Sequence, residues 1–431
     1  MLNQFNVSIW GDEAFSAILS MKSIPEIFKI ISHDTSPPLY NLTEHFAFQI
    51  FGNSEIVIRG LSFFYYCIAV FFTYKIAAFL WDRKTGVLAA FLTFFNPFFF
   101  IYAFEGRMYS ILALGVTASM YFFLKKNWKL YIVATLFAIY SHHFAFFALF
   151  VQGAWFLYEL AKRGKSVKPM FFSFIAVAIL YLPWLPFLYT QTKMVSSGFW
   201  LGKPTLIDLK KLIYDYLATG IPHALSIWAL RIVGLSLILR VWTKNIKSTL
   251  FMVSWFFIPI LMTFVISQKF SSIFYNRYLL YTIPPVMILV DSNTRKIHVL
   301  ILGIILAMFF VIDVNYFTHP TKLPFRELAS YVKDTKQGDD YLVNWNSSGH
   351  HLWEAKYYGI PAPIYNPGTA LPYYVGTALM EKDDVINQIP KKGYKRIGVI
   401  TSGSIDEVTI AGYNKGEVKN FSDLKFIWFN K

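Results

Sequence analysis

The chain has 431 residues, of which 55% are apolar, 19% aromatic and only 15% charged. A soluble chain of this length carries nearer a quarter charged residues. Many apolar runs here reach the ~17–25 residues that cross a bilayer, so the composition excludes an ordinary soluble enzyme and marks an α-helical polytopic membrane protein. The net charge of +15 raises nucleic acid as a partner, but the basic residues fall in alternate connections between apolar runs. Much of that charge is therefore topological, and nucleic acid is not implied. Cys67 is the only cysteine, which excludes an intrachain disulfide framework and a cysteine-based metal site.

The opening residues, MLNQFNVSIWGDE, have neither a basic n-region nor an apolar core, so they do not read as a signal peptide. Asp12 and Glu13 then stand ahead of a predicted amphipathic helix, roughly Ala14–Ile31. His33 and Asp34 form a second polar knot, closed by the rigid Pro37–Pro38 step. An acidic pair at a helix start also reads as a simple cap, since acids suit the first turn. On the residues alone both readings stay open.

The predicted spans follow. They are Glu55–Trp81, Gly86–Ala103, Met108–Leu124, Trp128–Ser141, Phe144–Leu160, Pro169–Tyr189, His223–Trp242, Thr249–Ser267, Tyr275–Asp291 and Lys296–Phe317, about ten in all. Alternate connections carry Arg83 and Lys84; Lys125, Lys126 and Lys129; Lys162, Arg163, Lys165 and Lys168; Arg240, Lys244 and Lys247; Arg295 and Lys296. The positive-inside rule makes these cytoplasmic. The opening loop, Glu105–Arg107, His142–His143, Thr190–Pro222, Gln268–Phe274 and the C-terminal tail are then expected outside. An outside opening loop needs something to carry it across, either a further transmembrane helix ahead of Met1 or an unusual translocation route, and the helix is the expectation.

Within Thr190–Pro222, the stretch Thr205–Ala218 alternates Asp208, Lys210 and Lys211 with leucines and isoleucines, as an interfacial helix does. From Thr318 the composition shifts. Phe325–Asp334 and Gly349–Tyr358 read as helices, and Tyr341–Trp345, Arg396–Thr401 and Lys425–Phe429 as strands. The organisation expected is an acidic loop with a juxtamembrane helix over 1–56, a transmembrane domain over 57–317 and a small extracytoplasmic α/β domain over 318–431.

Polar groups thus collect on the expected outer side: Asp12, Glu13, His33, Asp34, Glu105, Arg107, Tyr109, His142, His143, Arg277 and Tyr278. Ionisable groups near membrane depth are costly and usually face the protein interior or a wet cavity. Carboxylates and arginines together suit phosphate-linked chemistry. A carboxylate takes a proton from an acceptor hydroxyl, and arginine holds a leaving phosphate in bidentate fashion.

Three stretches carry a family resemblance: WGDEAFS, DTSPPLYNLTEHFAFQIFGNSEIVIRGLSFF and FEGRMYSILAL. In order they show an acidic pair, a Pro-Pro-Leu-Tyr step, a Gly-x-Ser-Glu…Arg approach to a span, and a Glu-x-Arg-x-Tyr approach to a later one. This order is similar to the membrane glycosyltransferases of the GT-C fold. The resemblance is to the branch of dolichyl-phosphate-mannose protein mannosyltransferases, aminoarabinose transferases and rhizobial lipopolysaccharide glycosyltransferases. It covers roughly residues 10–145 well and the later spans in pattern only.

The resemblance implies a GT-C-like fold and sugar transfer from a polyprenyl-phosphate-linked donor to a protein, lipid or polysaccharide acceptor at the outer membrane surface. It implies Asp12 as general base with Glu13 its neighbour, Glu105 as a second acid, and Arg107 or Arg277 on the donor phosphate. His33, Asp34, Tyr109 and Tyr278 join the expected substrate-binding set. His142 and His143 fall where some relatives keep a metal-ligating histidine; a divalent metal there is an open alternative and none is assigned. Two other classes remain, a transporter or flippase of a lipid-linked intermediate and an inactive membrane scaffold. Ionisable residues gathered at one face, instead of midplane charges on repeated broken helices, favour the enzyme.

Overall fold

The computed structural model describes residues 2–162, 167–222, 225–228, 230–231, 245–291, 296–345, 349–368, 370–390 and 393–431. The expected span His223–Trp242 falls largely outside these, as do Arg163, Lys165, Arg240, Lys244 and Arg295. The chain is mainly helical, with several apolar helices and a small β-sheet near its C-terminus. It divides into two compact units. One comprises Thr35–Tyr40 and Arg59–Thr318, the other Met1–Asp34, Asn41–Ile58 and His319–Lys431.

Among the described residues, four helices are long and apolar enough to cross a membrane: Glu55–Leu80, Val167–Ser196, Ile246–Lys269 and Leu300–Thr318. A fifth results if Arg83–Phe94 and Pro97–Ala103, bent by 67°, make one span. Three expected spans are shorter apolar helices, Tyr109–Leu124, Trp128–Ser141 and Ala145–Ala161. The breaks have local causes. Pro97 has no N–H to continue the preceding helix, and the Asn96 side chain accepts from Phe99 N at 3.0 Å to cap the next one. The expected span Tyr275–Asp291 is a 3-10 turn, Asn276–Thr282, followed by the helix Ile283–Asp291, with Pro284 and Pro285 in its first turn.

This unit is held by close contacts and buried polar bonds. A Cβ on Gly115 would lie 2.7 Å from Ala138 Cα, so the helices Tyr109–Lys125 and Trp128–Ser141 approach almost backbone to backbone. Beside that contact, Ser119 Oγ lies 2.8 Å from Thr135 Oγ1, and Gln152 donates to Ser119 Oγ at 2.9 Å. Tyr131 donates to Gln152 Oε1 at 2.9 Å. Small residues plus satisfied polar side chains bind helices where no hydrophobic force separates protein from lipid.

In the other unit the expected helix Ala14–Ile31 is two helices, Gly11–Ser20 and Ile24–Ile31. Ser23 restarts the chain: its N–H and hydroxyl both donate to Glu26 Oε2, at 3.0 and 2.5 Å, with Pro25 in the first turn. The helix Leu39–Phe51, not expected from the sequence, follows the Pro-Pro step.

The C-terminal sheet comprises β1 (Asp340–Asn344), β2 (Ile364–Tyr365), β3 (Val385–Ile386), β4 (Arg396–Thr401), β5 (Asn414–Phe421) and β6 (Leu424–Asn430). Its order is β3-β2-β1-β4-β6-β5, with β3, β2, β1 and β4 parallel and β6 antiparallel to both β4 and β5. Alternation builds a core on each face. Leu342, Ile400, Phe426 and Trp428 pack with Phe325, Leu328 and Val332 of the helix Phe325–Thr335. Val343, Ile397, Val399, Ile427 and Phe429 pack with Val408 and Ile410.

The N-terminal segment is tied to this domain by polar bonds. Arg326 donates to Glu55 Oε1 at 2.8 and 3.1 Å and to the Asn6 carbonyl at 2.7 Å. Tyr358 donates to Glu55 Oε1 and accepts from Ile9 N, both at 2.8 Å. These bonds set where the helix Gly11–Ser20 begins.

The Gly115 contact predicts a sign difference. Gly115→Ala should lower the unfolding temperature of the protein in detergent, an overpacking effect of about 1–3 kcal/mol. Gly303, with nothing within 4 Å of its would-be Cβ, should tolerate alanine or gain up to about 1 kcal/mol from helix propensity.

Candidate functional site

The acidic pair lies in the first turn of the helix Gly11–Ser20, which packs on the helix Gly349–Tyr357 within the same unit. Gly11 makes the approach achievable. A Cβ there would sit 2.4 Å from His350 Cβ and 2.6 Å from its Cα, a clash with backbone. Asp12 remains accessible, its side chain 24% exposed, with Oδ1 3.6 Å from His350 Nε2. Glu13 is fully buried. Its Oε2 lies 2.9 Å from Lys322 Nζ and accepts from Trp10 N at 3.4 Å. The capping reading thus holds for Glu13, whereas Asp12 turns to an imidazole.

Behind the pair, Glu354 is buried with no hydrogen-bond partner on Oε2. Burial pushes its carboxyl well above the usual carboxylate range; the Gly11 N–H opposes this, and the charges of Glu13 and Asp12 add to it.

The second cluster belongs to the membrane unit. Glu105 and Arg107 occupy the connection between the helices Pro97–Ala103 and Tyr109–Lys125, and Arg277 the 3-10 turn Asn276–Thr282. Arg277 Nη1 lies 3.9 Å from Glu105 Oε1, both side chains being largely buried. Three tyrosine rings surround the guanidinium, with centroids at 4.9 Å for Tyr275, 5.4 Å for Tyr109 and 5.9 Å for Tyr278. Tyr278 continues to His142, whose ring centroid is 5.2 Å away. The fold brings together here Glu105, Arg277, Tyr109, Tyr278 and His142.

The two histidines diverge. His142 Nδ1 accepts from Phe144 N at 3.1 Å. His143 Nε2 lies 2.7 Å from Gln191 Oε1, and Gln191 Nε2 donates to the Ser36 carbonyl at 3.2 Å. That second bond fixes the amide orientation, so His143 donates from Nε2 and its tautomer is set. Gln191 thereby links His143 to the residue before the Pro-Pro step. Arg107, His142, His143 and Tyr278 help line a cavity of about 310 Å³; Phe144, Phe146, Phe147, Leu188, Val195 and Phe199 make most of the rest apolar. Among the described residues no group of three or more His, Cys, Asp or Glu side chains is arranged to hold a metal ion.

His33 is exposed, and its Nδ1 lies 2.9 Å from Ser32 Oγ and 3.0 Å from the Lys29 carbonyl, at the end of its own helix. Asp34 is half-buried near Tyr373. Four residues join the clusters without having been singled out. Tyr102, whose ring packs edge-on against Tyr109 at 5.4 Å, and Tyr275 lie within three residues of Glu105 and Arg277 in the sequence and were within reach of a local reading. Lys322 and His350 come from the C-terminal domain, and no spacing in the sequence links them to the acidic pair.

Two stability outcomes follow from the acidic pair. Lys322→Met removes the ammonium from a buried carboxylate and should destabilise the protein by about 3–5 kcal/mol, with Glu13→Gln in the same chain recovering most of it; thermal unfolding of the single and double variants checks this. For Glu354 the folded pKa lies above the unfolded one. Its contribution is therefore fully present below the usual carboxylate range and is lost as pH rises through the folded value. Glu354→Gln should accordingly raise the unfolding temperature relative to wild type at pH 8 and narrow that difference toward pH 4.

The sequence model described as dolichyl-phosphate-mannose-protein mannosyltransferase matches residues 35–189, the stretch holding Glu105, Arg107 and both histidines. No curated protein matches the chain. Among the solved structures that share its fold are two of ArnT from Cupriavidus metallidurans. The apo form aligns with a TM-score of 0.65 at 13% identity, over 99% of this chain and 95% of that one. The form bound to undecaprenyl phosphate aligns with a TM-score of 0.65 at 12% identity, over 100% and 95%. The chain thus has the fold of ArnT, a GT-C fold, and over residues 35–189 the sequence pattern of the mannosyltransferase model, in agreement with the resemblance carried by its motifs.

Proposed function

We propose that the chain is a membrane glycosyltransferase that moves a sugar from a polyprenyl-phosphate-linked donor to an acceptor at the outer face of the membrane. The observation that carries this reading is Arg107 at the wall of an apolar cavity, beside the Glu105–Arg277 pair and its tyrosines. A cation next to apolar lining suits a ligand with a phosphate head and a hydrocarbon chain. The ArnT structure with undecaprenyl phosphate supports the same ligand class on the same fold. The basic connections support the orientation, since the positive-inside rule puts the expected position of the acidic and arginine motifs away from the cytoplasm.

In this reading Arg107 and Arg277 take the donor phosphate. At 3.9 Å the Glu105–Arg277 pair is an electrostatic contact instead of a bidentate clamp. Glu105 then keeps the arginine aligned, and Tyr109 and Tyr278 hold its plane. Asp12 is the general base. An acceptor oxygen attacks the anomeric carbon as its proton passes to Asp12, and the carbon–oxygen bond to the lipid phosphate breaks. The phosphate departs with the electron pair, its charge stabilised by arginine, and the anomeric configuration inverts. Glu13, locked to Lys322, orients the turn that carries Asp12. His33 and Asp34 complete the acceptor side. The acceptor is a protein, lipid or polysaccharide of the cell envelope.

Transfer of labelled sugar from a membrane-extracted pool of polyprenyl-phosphate-linked donors to envelope acceptors tests the assignment. Asp12→Asn should reduce turnover by about 10²–10⁴-fold while leaving undecaprenyl phosphate binding unchanged. Arg277→Lys should weaken that binding, because a point charge replaces the planar fork. Full transfer by Asp12→Asn would remove Asp12 as the base. Absence of transfer by wild type, with undecaprenyl phosphate bound, would favour a carrier of lipid-linked intermediates.

A further inference from the structure

A general base must shed its proton after every transfer, so the groups facing Asp12 within its own unit bear on turnover. His350 faces it, with Nε2 3.6 Å from Asp12 Oδ1 and a side chain 51% exposed against 24% for the carboxylate. The imidazole is fixed by the residues that precede Asp12. Trp10 stands edge-on to it, with ring centroids 5.6 Å apart and planes at 88°. Gly11 admits the His350 backbone so closely that any side chain there would clash. Two other charged groups stand around the turn: Lys322 lies on Glu13 at 2.9 Å, and Glu354 is buried near the Gly11 N–H.

We infer that His350 is a positioning residue for Asp12, an imidazole brought by the C-terminal domain to orient the carboxylate and carry its proton to solvent. The inference rests on the reading of Asp12 as the base. The step balances without a co-reactant. The acceptor O–H proton passes to Asp12 as the new carbon–oxygen bond forms. It then passes to Nε2 of the neutral, Nδ1-protonated imidazole, and the Nδ1 proton leaves to water, which restores the carboxylate; proton exchange of the exposed ring with water then returns the Nδ1–H tautomer. The lesser exposure of Asp12 and the greater exposure of His350 give this transfer its direction outward. It also gives the C-terminal α/β domain a part in the chemistry, through a helix whose role no motif announces.

The test uses the full chain and the labelled donor pool, comparing wild type, Asp12→Asn, His350→Ala and His350→Gln. Both His350 variants should lose turnover at saturating donor by at least about tenfold, with the KM for donor unchanged and the unfolding temperature near that of wild type. Added imidazole should restore His350→Ala and leave His350→Gln slow, because glutamine fills the space but cannot relay a proton. Wild-type turnover in His350→Gln, with Asp12→Asn inactive, would overturn the inference while leaving Asp12 as base. So would a slow, folded His350→Ala that imidazole does not restore. If His350→Ala does not fold, His350→Gln alone decides. Wild-type turnover in Asp12→Asn would instead overturn the reading beneath it.

Discussion

The membrane unit's site depends on how Arg277 is kept charged among apolar helices. A guanidinium taken out of water loses hydration that only nearby charge or polarised surface replaces. Here the replacement is a carboxylate, Glu105, at 3.9 Å and the faces of three tyrosines within 5.9 Å. Cation–π contacts of this kind reach about 2 kcal/mol or more when desolvated, and they hold the guanidinium plane without consuming its hydrogen-bond fork. The 3-10 turn Asn276–Thr282 matters for the same reason: it stacks Tyr275, Arg277 and Tyr278 within four residues of chain. Asn276 anchors that turn, with Nδ2 donating to Asp215 at 2.9 Å and its carbonyl accepting from Tyr216 at 2.6 Å. The helix Leu206–Ala218 is thereby tied to the arginine's own turn.

The acidic pair is built on a different principle. Its geometry comes from backbone proximity, since Gly11 lets the helix Gly349–Tyr357 lie against the first turn. The two neighbouring acids then part company. Glu13 is drawn inward to Lys322 and the helix N-terminus, where a negative charge is favoured. Asp12 is left on the more accessible side facing His350. One turn of helix thus yields a buried, paired carboxylate and an accessible one, separated by direction alone.

Much of the helical architecture was legible because apolar runs and proline breaks act locally. Trp128–Ser141 and Arg396–Thr401 have the bounds that hydropathy and alternation suggest. The reading failed where a local stop outweighed the periodicity. Ser23 and Pro25 cut the helix expected over Ala14–Ile31, and Asn96–Pro97 bends the one expected over Gly86–Ala103. Strands β2 and β3 have two residues each, too few to carry any period. The arginine cluster was largely visible because Glu105, Arg107 and Tyr109 share one motif. Lys322 and His350 were invisible for a physical reason: Lys322 reaches Glu13 across 309 residues of chain, and only the folded domain creates that proximity.

The most direct measurement of the account is a structure of this protein with undecaprenyl phosphate bound. The account predicts the phosphate within hydrogen-bonding distance of Arg107 or Arg277, with the first isoprene units in the cavity lined by Phe144, Phe146 and Phe147. A phosphate held away from both arginines, with that cavity empty of the chain, would contradict it.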